Sequence, residues 1–229
     1  MMQPRRANEK TTPRAARLQA VVFDLDGTLT DSWPPALAAF RAAVGEFADR
    51  PLSDEELMAY AGPAEEAIFQ QVVPTRWREC FERYLEGYRA RLHPGIAFAG
   101  IPRLLERLRE ARVARAVVSG KTQRALEATL EVAGMTGYFA GVQGGSVEGD
   151  RKAELLGAMI ERLGCVPSSV AYVGDTVGDT RAARAAGAIA VGVSWAPTAR
   201  AQDIRAERPD AHCASVAEFE AWCLARIGP

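Results

Sequence analysis

The sequence predicts an α/β fold: a doubly wound parallel sheet with helices on both faces, interrupted after its first strand by an all-helical insert. Three observations support this prediction. Short apolar segments alternate with amphipathic helical segments from residue 94 to the end of the chain. The stretch 33–93 has helical periodicity and no convincing strand. The length, 229 residues, suits one large domain or a domain with a smaller insert.

The first strand is predicted over Ala20–Phe23, four consecutive apolar residues typical of a buried strand. It is followed at once by Asp24, and Asp26 comes two residues later. Gly27 then allows the backbone to turn sharply, because it has no Cβ. The strand therefore ends in two carboxylates, at the edge where open α/β sheets bind their ligands.

The insert is predicted to contain four helical segments. They are 36–47, a segment that begins with the capping-box residues Ser53 and Glu56, a short segment around Ile68, and the amphipathic segment 77–92. We therefore predict a helical cap over 33–93 and an α/β core over 19–32 and 94–229. Residues 1–18 contain no apolar segment, so we expect a disordered lead-in rather than a secretory signal.

After the insert, strands and helices alternate. Strands are predicted at Ala114–Val118, 139–143, 170–173, 188–193 and 210–213, and helices at 101–111, 122–133, 153–163, 181–186 and 216–227. This order predicts a parallel sheet covered by helices on both faces. No GxGxxG follows any of the strands, so the fingerprint of a dinucleotide-binding fold is missing.

The composition is that of an ordinary soluble globular protein, with 48% hydrophobic residues, 25% charged residues and a net charge of −1. The near-zero charge argues against a nucleic-acid partner. No apolar run approaches the roughly 20 residues of a membrane span. The four cysteines are widely spaced without a CxxC pair, which favours free thiols in a reducing compartment. We therefore expect a cytoplasmic protein that binds neither nucleic acid nor membrane.

Polar residues suited to phosphate chemistry follow three of the predicted strands. Asp24 and Asp26 follow the first strand, Ser119 and Gly120 the second, and Asp175 a later one. In a parallel sheet these strand ends lie on the same edge, so the five residues are predicted to converge.

Two of the chain's three lysines, Lys121 and Lys152, lie beside these predicted loops, where a compact ammonium charge suits phosphate. Local alternatives stay open at this point. Ser119 could cap the helix that follows it, and Lys152 could be an ordinary surface lysine. Asp175 and Asp179 could form an Asx turn that leads into a helix.

Together these motifs resemble those of a known family. DLDGTLTDS, VVSGK, Lys152 at the head of a helix, and VGDTVGDTRAARAAG are similar, in this order, to the four motifs of the haloacid dehalogenase superfamily. The helical insert resembles the cap of its phosphoglycolate phosphatase-like branch. The resemblance extends from about residue 19 to the C-terminus. It implies the haloacid dehalogenase-like, Rossmannoid form of the predicted fold.

The resemblance also implies a role for each matching residue. Asp24 matches the nucleophile that forms an aspartyl-phosphate, and Asp26 matches the general acid and base. Asp24, the backbone carbonyl of Asp26, and Asp175 match the Mg²⁺ ligands, while Asp179 matches an acid that supports the metal site from behind. The groups that hold the phosphoryl oxygens match Ser119, the Gly120 amide and Lys152.

Elementary chemistry agrees with these roles. Two acids and a dianionic phosphate would repel each other without a cation, and Mg²⁺ prefers oxygen ligands. Phosphate monoester hydrolysis can need accelerations of up to about 10²¹, which favours a covalent intermediate combined with charge neutralisation.

The predicted function is therefore a Mg²⁺-dependent phosphatase that hydrolyses a small, phosphoglycolate-like phosphate monoester. Asp26 argues against a dehalogenase, because the dehalogenase members lack an acid there. A sugar-phosphate mutase stays open, since it would use the same Asp24 and Asp26. From other classes, a phospho-accepting regulatory domain is disfavoured by the DxDGT order and the insert, and a catalytically silent binding protein by the intact acids.

The expected partner is a small phosphorylated metabolite, and the chain is expected to be a monomer or a homodimer. The insert is predicted to determine the substrate through the loop 62–66, which matches the specificity loop of the family.

Overall fold

The computed structural model describes residues 17–48, 53, 56 and 64–227, and these form a sheet of six strands surrounded by helices. The strands are β1 (Ala20–Phe23), β2 (Ala114–Val118), β3 (Gly141–Gln143), β4 (Val170–Gly174), β5 (Ile189–Val193) and β6 (Ala211–Cys213). Their order across the sheet is β3-β2-β1-β4-β5-β6, and every neighbouring pair is parallel. The predicted doubly wound α/β fold is confirmed.

The helices of the insert are α1 (Trp33–Phe47), α2 (Glu65–Val72) and α3 (Trp77–Arg89). Those of the α/β core are α4 (Ile101–Glu110), α5 (Gln123–Val132), α6 (Lys152–Arg162), α7 (Val177–Ala185), α8 (Ala201–Ala206) and α9 (Val216–Leu224). Within the described residues, no helix is both long enough and apolar enough to cross a lipid bilayer.

The two faces of the sheet bury alternate residues of each strand. On β1, Val21 and Phe23 pack into the apolar cluster that includes Leu104 of α4, whereas Val22 packs into a second cluster with Leu156 of α6. Side chains alternate between the two faces of a strand, so a strand that is apolar at every position needs helices on both sides. Packing on both faces therefore holds the central strand β1 in place, and it holds the carboxyl end of that strand as well.

The insert has an apolar core of its own, built from aromatic rings. Phe40 of α1 stacks on Phe69 of α2 with ring centroids 4.6 Å apart, and Tyr84 of α3 packs edge-on against Phe40. The capping box predicted at Ser53 and Glu56 is confirmed by reciprocal hydrogen bonds of 2.8 and 3.2 Å. The domain boundary 33–93 stays a prediction.

Several elements differ from the sequence prediction. Helix α1 begins at Trp33 rather than at residue 36, because proline is compatible with the first turn of a helix. Helix α7 begins at Val177 rather than at residue 181, and the short helix α8 was not predicted. The predicted strand 139–143 is limited to Gly141–Gln143, and a 3₁₀ turn at Thr136–Tyr138 precedes it.

The predicted lead-in falls almost entirely outside the described residues, which begin at Arg17. Leu18, however, is buried, and its N–H donates to the carbonyl of Arg226 at 3.0 Å. The folded core therefore includes Leu18, one residue before the predicted boundary at 19.

Candidate active site

The carboxyl ends of β1 and β4 bring Asp24 and Asp175 together. Phe23 pairs with Val173 in the sheet, and the Asp24 N–H continues the ladder by donating to the Val173 carbonyl at 2.9 Å. The next strand across, β2, ends at Val118 and is followed by Ser119. The predicted convergence of three strand ends is therefore what the fold produces.

Asp24, Asp175 and Asp179 form a buried cluster of carboxylates, each offering an oxygen within 4.8 Å of the others. Burial, together with the neighbouring carboxylates, raises the pKa of Asp175 to about 8. Burial also raises the pKa of Asp24 to about 7, even though Lys152 acts in the opposite direction. A site at which Asp24 and Asp175 resist ionisation in this way is suited to a bound cation.

Asp179 is already saturated with hydrogen bonds. Its Oδ1 accepts from Lys152 Nζ at 2.6 Å and from the Tyr172 hydroxyl at 3.2 Å. Its Oδ2 accepts from the Thr176 N–H at 3.0 Å and from the Thr176 hydroxyl at 2.6 Å. Thr176 Oγ1 in turn accepts from the Asp179 N–H, which makes a capping box at the start of α7. Four donors leave Asp179 better suited to supporting a metal site than to ligating the ion directly.

Asp175, in contrast to Asp179, has a carboxylate oxygen without a hydrogen-bond donor among the described residues. Its Oδ1 is buried and has no hydrogen-bond partner within the part of the chain that the structure describes. Such an orphaned acceptor is costly unless something occupies it. Asp175 also lies directly against Gly27, where an added Cβ would be only 2.1 Å from Asp175 Oδ2. The carboxylates and this close approach fit an oxygen-ligated cation such as Mg²⁺.

Lys152 begins α6, and its ammonium group reaches into the carboxylate cluster. Nζ lies 3.1 Å from Asp24 Oδ1 and 2.6 Å from Asp179 Oδ1, and only 17% of the side chain is exposed. Burial alone would lower the pKa of Lys152, but the charges of Asp179 and Asp24 outweigh it and hold the pKa well above its usual value. Lys152 is therefore a largely buried cation beside Asp24 rather than a surface lysine.

Asp26 is held separately from this cluster. Its carboxylate accepts from Lys121 Nζ at 3.1 and 3.3 Å, and Ser32 Oγ donates a short hydrogen bond to its Oδ1. The side chain is 20% exposed. Asp24 and Asp26 therefore have different environments and different partners, which suits two acids with different roles.

Ser119 and Gly120 lie on the wall of a cavity of about 560 Å³ between the core and the insert. The Ser119 side chain is buried. It does not cap the following helix, whose N-cap residue is Thr122. The acids Asp24, Asp26 and Asp175 and the ammonium of Lys152 line the same cavity. On the side of the insert the wall is mainly apolar and is formed by Trp33, Ala36, Leu37, Phe40 and Ile68.

Sequence reasoning gave no specific role to three residues at this site. Lys121 was predicted to lie beside a loop where an ammonium charge suits phosphate, whereas its ammonium group is buried against Asp26. Glu65 belonged to a loop expected to face the site, and it lines the cavity. Gly62 and Pro63 of that loop lie outside the described residues. The contact of Tyr172 with Asp179 could not be predicted, because an aromatic residue within a buried strand is typical of an apolar core.

The contact between Gly27 and Asp175 predicts the effect of a single methyl group. Gly27 has φ of +77° and no room for a Cβ, so Gly27→Ala is expected to lower the free energy of unfolding by about 2 kcal/mol or more. It should also displace Asp175. Gly157 within α6 is the control, because a methyl group there meets open space and removes a helix-weakening glycine. Urea denaturation of Gly27→Ala and of Gly157→Ala gives the two free energies of unfolding. Equal values would contradict the close contact between Gly27 and Asp175.

Comparison with known proteins agrees with the site. Residues 21–193 match the family model described as haloacid dehalogenase-like hydrolase. A phosphoglycolate phosphatase from Synechococcus elongatus is 31% identical over 198 residues, which cover 84% of this chain and 91% of that protein.

Two solved structures share the fold. A haloacid dehalogenase-like family hydrolase from Streptococcus pneumoniae superposes with a TM-score of 0.71 at 23% identity, covering 90% of this chain and 98% of that one. CbbY from Rhodobacter sphaeroides in complex with phosphate superposes with a TM-score of 0.72 at 19% identity, covering 89% and 95%. The chain thus belongs to the haloacid dehalogenase-like hydrolase family, as its motifs predicted.

Proposed function

We propose that this phosphoric monoester hydrolase is a Mg²⁺-dependent phosphatase that removes phosphate from a small phosphate monoester through an aspartyl-phosphate at Asp24. One observation carries the proposal. Lys152 and the carboxylates of Asp24, Asp175 and Asp179 meet at the strand ends, where they line or adjoin a cavity that the insert covers. A phosphoryl group placed there would contact the Asp24 carboxylate as nucleophile and the Lys152 ammonium group, beside the mainly apolar wall of the insert.

Asp24 is the proposed nucleophile. Its carboxylate oxygen attacks phosphorus, and the bond between phosphorus and the ester oxygen breaks. Asp26 gives its proton to the departing ester oxygen, so that the alcohol leaves neutral. Asp26 then takes a proton from a water molecule, which attacks phosphorus and releases phosphate and free Asp24. The separate partners of Asp24 and Asp26 support this division of roles.

The residues that would hold Mg²⁺ are Asp24, Asp175 and the backbone carbonyl of Asp26. When bound, the ion neutralises charge on the phosphoryl oxygens. Asp179 orients Lys152 and the start of α7 through its four hydrogen bonds. The proposed holders of the phosphoryl oxygens are Lys152, Ser119 Oγ and the Gly120 N–H.

The substrate is proposed to be a small phosphorylated metabolite. Phosphoglycolate is the first compound to test, because the relative from Synechococcus elongatus is named as a phosphoglycolate phosphatase. The apolar wall of the insert and the volume of about 560 Å³ also admit leaving groups with more hydrocarbon surface than glycolate. All four cysteines are free, which supports the proposed cytoplasmic location.

The test is phosphate release from a panel of phosphomonoesters with and without Mg²⁺. The panel contains phosphoglycolate, glycerol 3-phosphate, phenyl phosphate, a hexose phosphate and a nucleoside monophosphate. We expect release that requires Mg²⁺ and differs in kcat/KM among the esters. No release from any ester, while Asp24 still takes up label from acetyl phosphate, would instead indicate a mutase or a phospho-accepting regulatory domain.

A further inference from the structure

A single buried ammonium group connects Asp26 to the insert. The Lys121 side chain is 2% exposed, and its Nζ lies 3.1 Å from Asp26 Oδ2 and 3.5 Å from Glu65 Oε1. The same Nζ lies over the ring of Tyr88, 4.6 Å from its centroid. Asp26 belongs to the core, whereas Glu65 and Tyr88 belong to helices α2 and α3 of the insert. The two parts of the chain therefore share one cation.

Glu65 is itself held in a fixed position. Its Oε1 accepts from the Tyr84 hydroxyl at 2.9 Å, and its Oε2 accepts from the Thr122 N–H at 2.5 Å. Beside it, Glu66 Oε1 accepts from the Thr122 hydroxyl at 2.6 Å. The first turn of α2 thus docks on the loop that follows β2, which also carries Ser119 and Gly120. The insert reaches Asp26 and the proposed phosphate-binding loop through the same contact.

The charges make this contact sensitive to the position of the insert. Asp26 and Glu65 are two carboxylates that both contact the Lys121 ammonium group, in surroundings where Coulombic forces are weakly screened. If the insert moved away, Lys121 would lose both Glu65 and the Tyr88 ring. Its ammonium group would then be open to solvent on that side, with Asp26 as its remaining carboxylate partner, which favours a different arrangement of the pair.

We propose that Lys121 is a positioning residue for Asp26, and that Glu65 is the part of the insert that keeps this position. The pairing of Lys121 with Glu65 forms only when the insert is closed on the core. Closure then places Asp26 where it can protonate the leaving group, which couples substrate enclosure to acid catalysis. This proposal rests on the phosphatase function proposed above.

The dependence on the leaving group tests the proposal. An alkyl alcohol leaves slowly without a proton, whereas p-nitrophenolate departs readily as an anion. Glu65→Gln removes the charge that faces Lys121, while its amide oxygen can still accept from the Thr122 N–H. Because hydrolysis of the aspartyl-phosphate is common to both substrates, the quantity compared is the single-turnover rate constant for release of the alcohol or phenol. We expect this rate constant to fall at least about tenfold for an alkyl phosphate, within the range of general-acid effects, and to change less than about threefold for p-nitrophenyl phosphate. A residue with a merely structural role would lower both equally.

Glu82→Gln is the matched control, because it removes the same charge from another contact between insert and core. Glu82 pairs with Arg124 at 2.5 Å, and both side chains are about half exposed. We expect both substrates to be turned over at the wild-type rate in this variant. If Glu65→Gln lowers the melting temperature, Tyr84→Phe replaces it, because it removes only a hydrogen bond that orients Glu65. The same selective loss is expected.

A double-mutant cycle completes the test. If Glu65 acts through Lys121, adding Glu65→Gln to Lys121→Gln should cause no further selective loss on the alkyl phosphate. Equal losses on both substrates, or multiplicative losses in the double variant, would overturn the proposal while leaving the phosphatase function intact. Absence of turnover of either substrate by the wild type would overturn both.

Discussion

Asp24→Asn is expected to abolish phosphate release, with kcat falling at least about 10⁴-fold, as is typical when a covalent nucleophile is removed. The physical reason is that a neutral amide cannot take the phosphoryl group, and no other carboxylate among the described residues has the same position. Asp179 is occupied by four hydrogen bonds, and Asp26 is held by Lys121 and Ser32. The measurement is single-turnover phosphate release with saturating ester.

The control for this variant is its stability. Asparagine replaces one of three clustered, buried carboxylates, and its amide oxygen can still accept from Lys152. We therefore expect the melting temperature of Asp24→Asn to be no lower than that of the wild type. Phosphate release by a well-folded Asp24→Asn within tenfold of the wild-type rate would contradict the proposed role of Asp24.

Lys152→Met is expected to have the largest effect on stability. It removes the cation that lies 3.1 Å from Asp24 and 2.6 Å from Asp179, and it leaves these buried carboxylates without a counter-charge. Breaking a buried pair in this way typically costs about 3–5 kcal/mol. For a chain of this size that corresponds to a fall of roughly 10 °C in Tm. The activity should fall at least about 10³-fold, because a phosphoryl ligand is also lost.

Two comparisons make the Lys152 prediction specific. Arg151→Met changes the neighbouring residue, whose ion pairs with Glu148 and Glu154 are exposed, so we expect almost no change in the free energy of unfolding. Mg²⁺ should raise the Tm of Lys152→Met more than that of the wild type, because a divalent cation supplies part of the missing charge. Equal melting curves for the Lys152 and Arg151 variants would show that the buried pairing is not important for stability.

The sequence predicted the strand ends well, and the reason is physical. A strand buried on both faces is apolar at every position, so β1 and β4 stand out, and the residue at which each run stops is visible in the sequence. Because parallel strands end on one edge, the positions of Asp24, Ser119 and Asp175 follow from the strand order alone. The start of α7 was predicted four residues late, although Thr176 and Asp179 have the spacing of a capping box.

The parts that sequence reasoning missed depend on long-range contacts. Helix α8 is only six residues long and mostly exposed, so it carries little periodicity. The pairing of Lys121 with Glu65 joins residues 56 positions apart, on the core and the insert. No local pattern encodes such a contact. The environment of Asp26 could therefore be described only once the two parts of the chain were placed together.

The central claim is that Asp24 carries the phosphoryl group, and rapid acid quenching with a ³²P-labelled ester tests it most directly. The account predicts a transient label, formed only with Mg²⁺, that is released by hydroxylamine as expected of an acyl phosphate. Peptide mapping should place it on Asp24, and Asp24→Asn should acquire none. Steady phosphate release without any protein-bound label, or a label on another residue, would contradict the account.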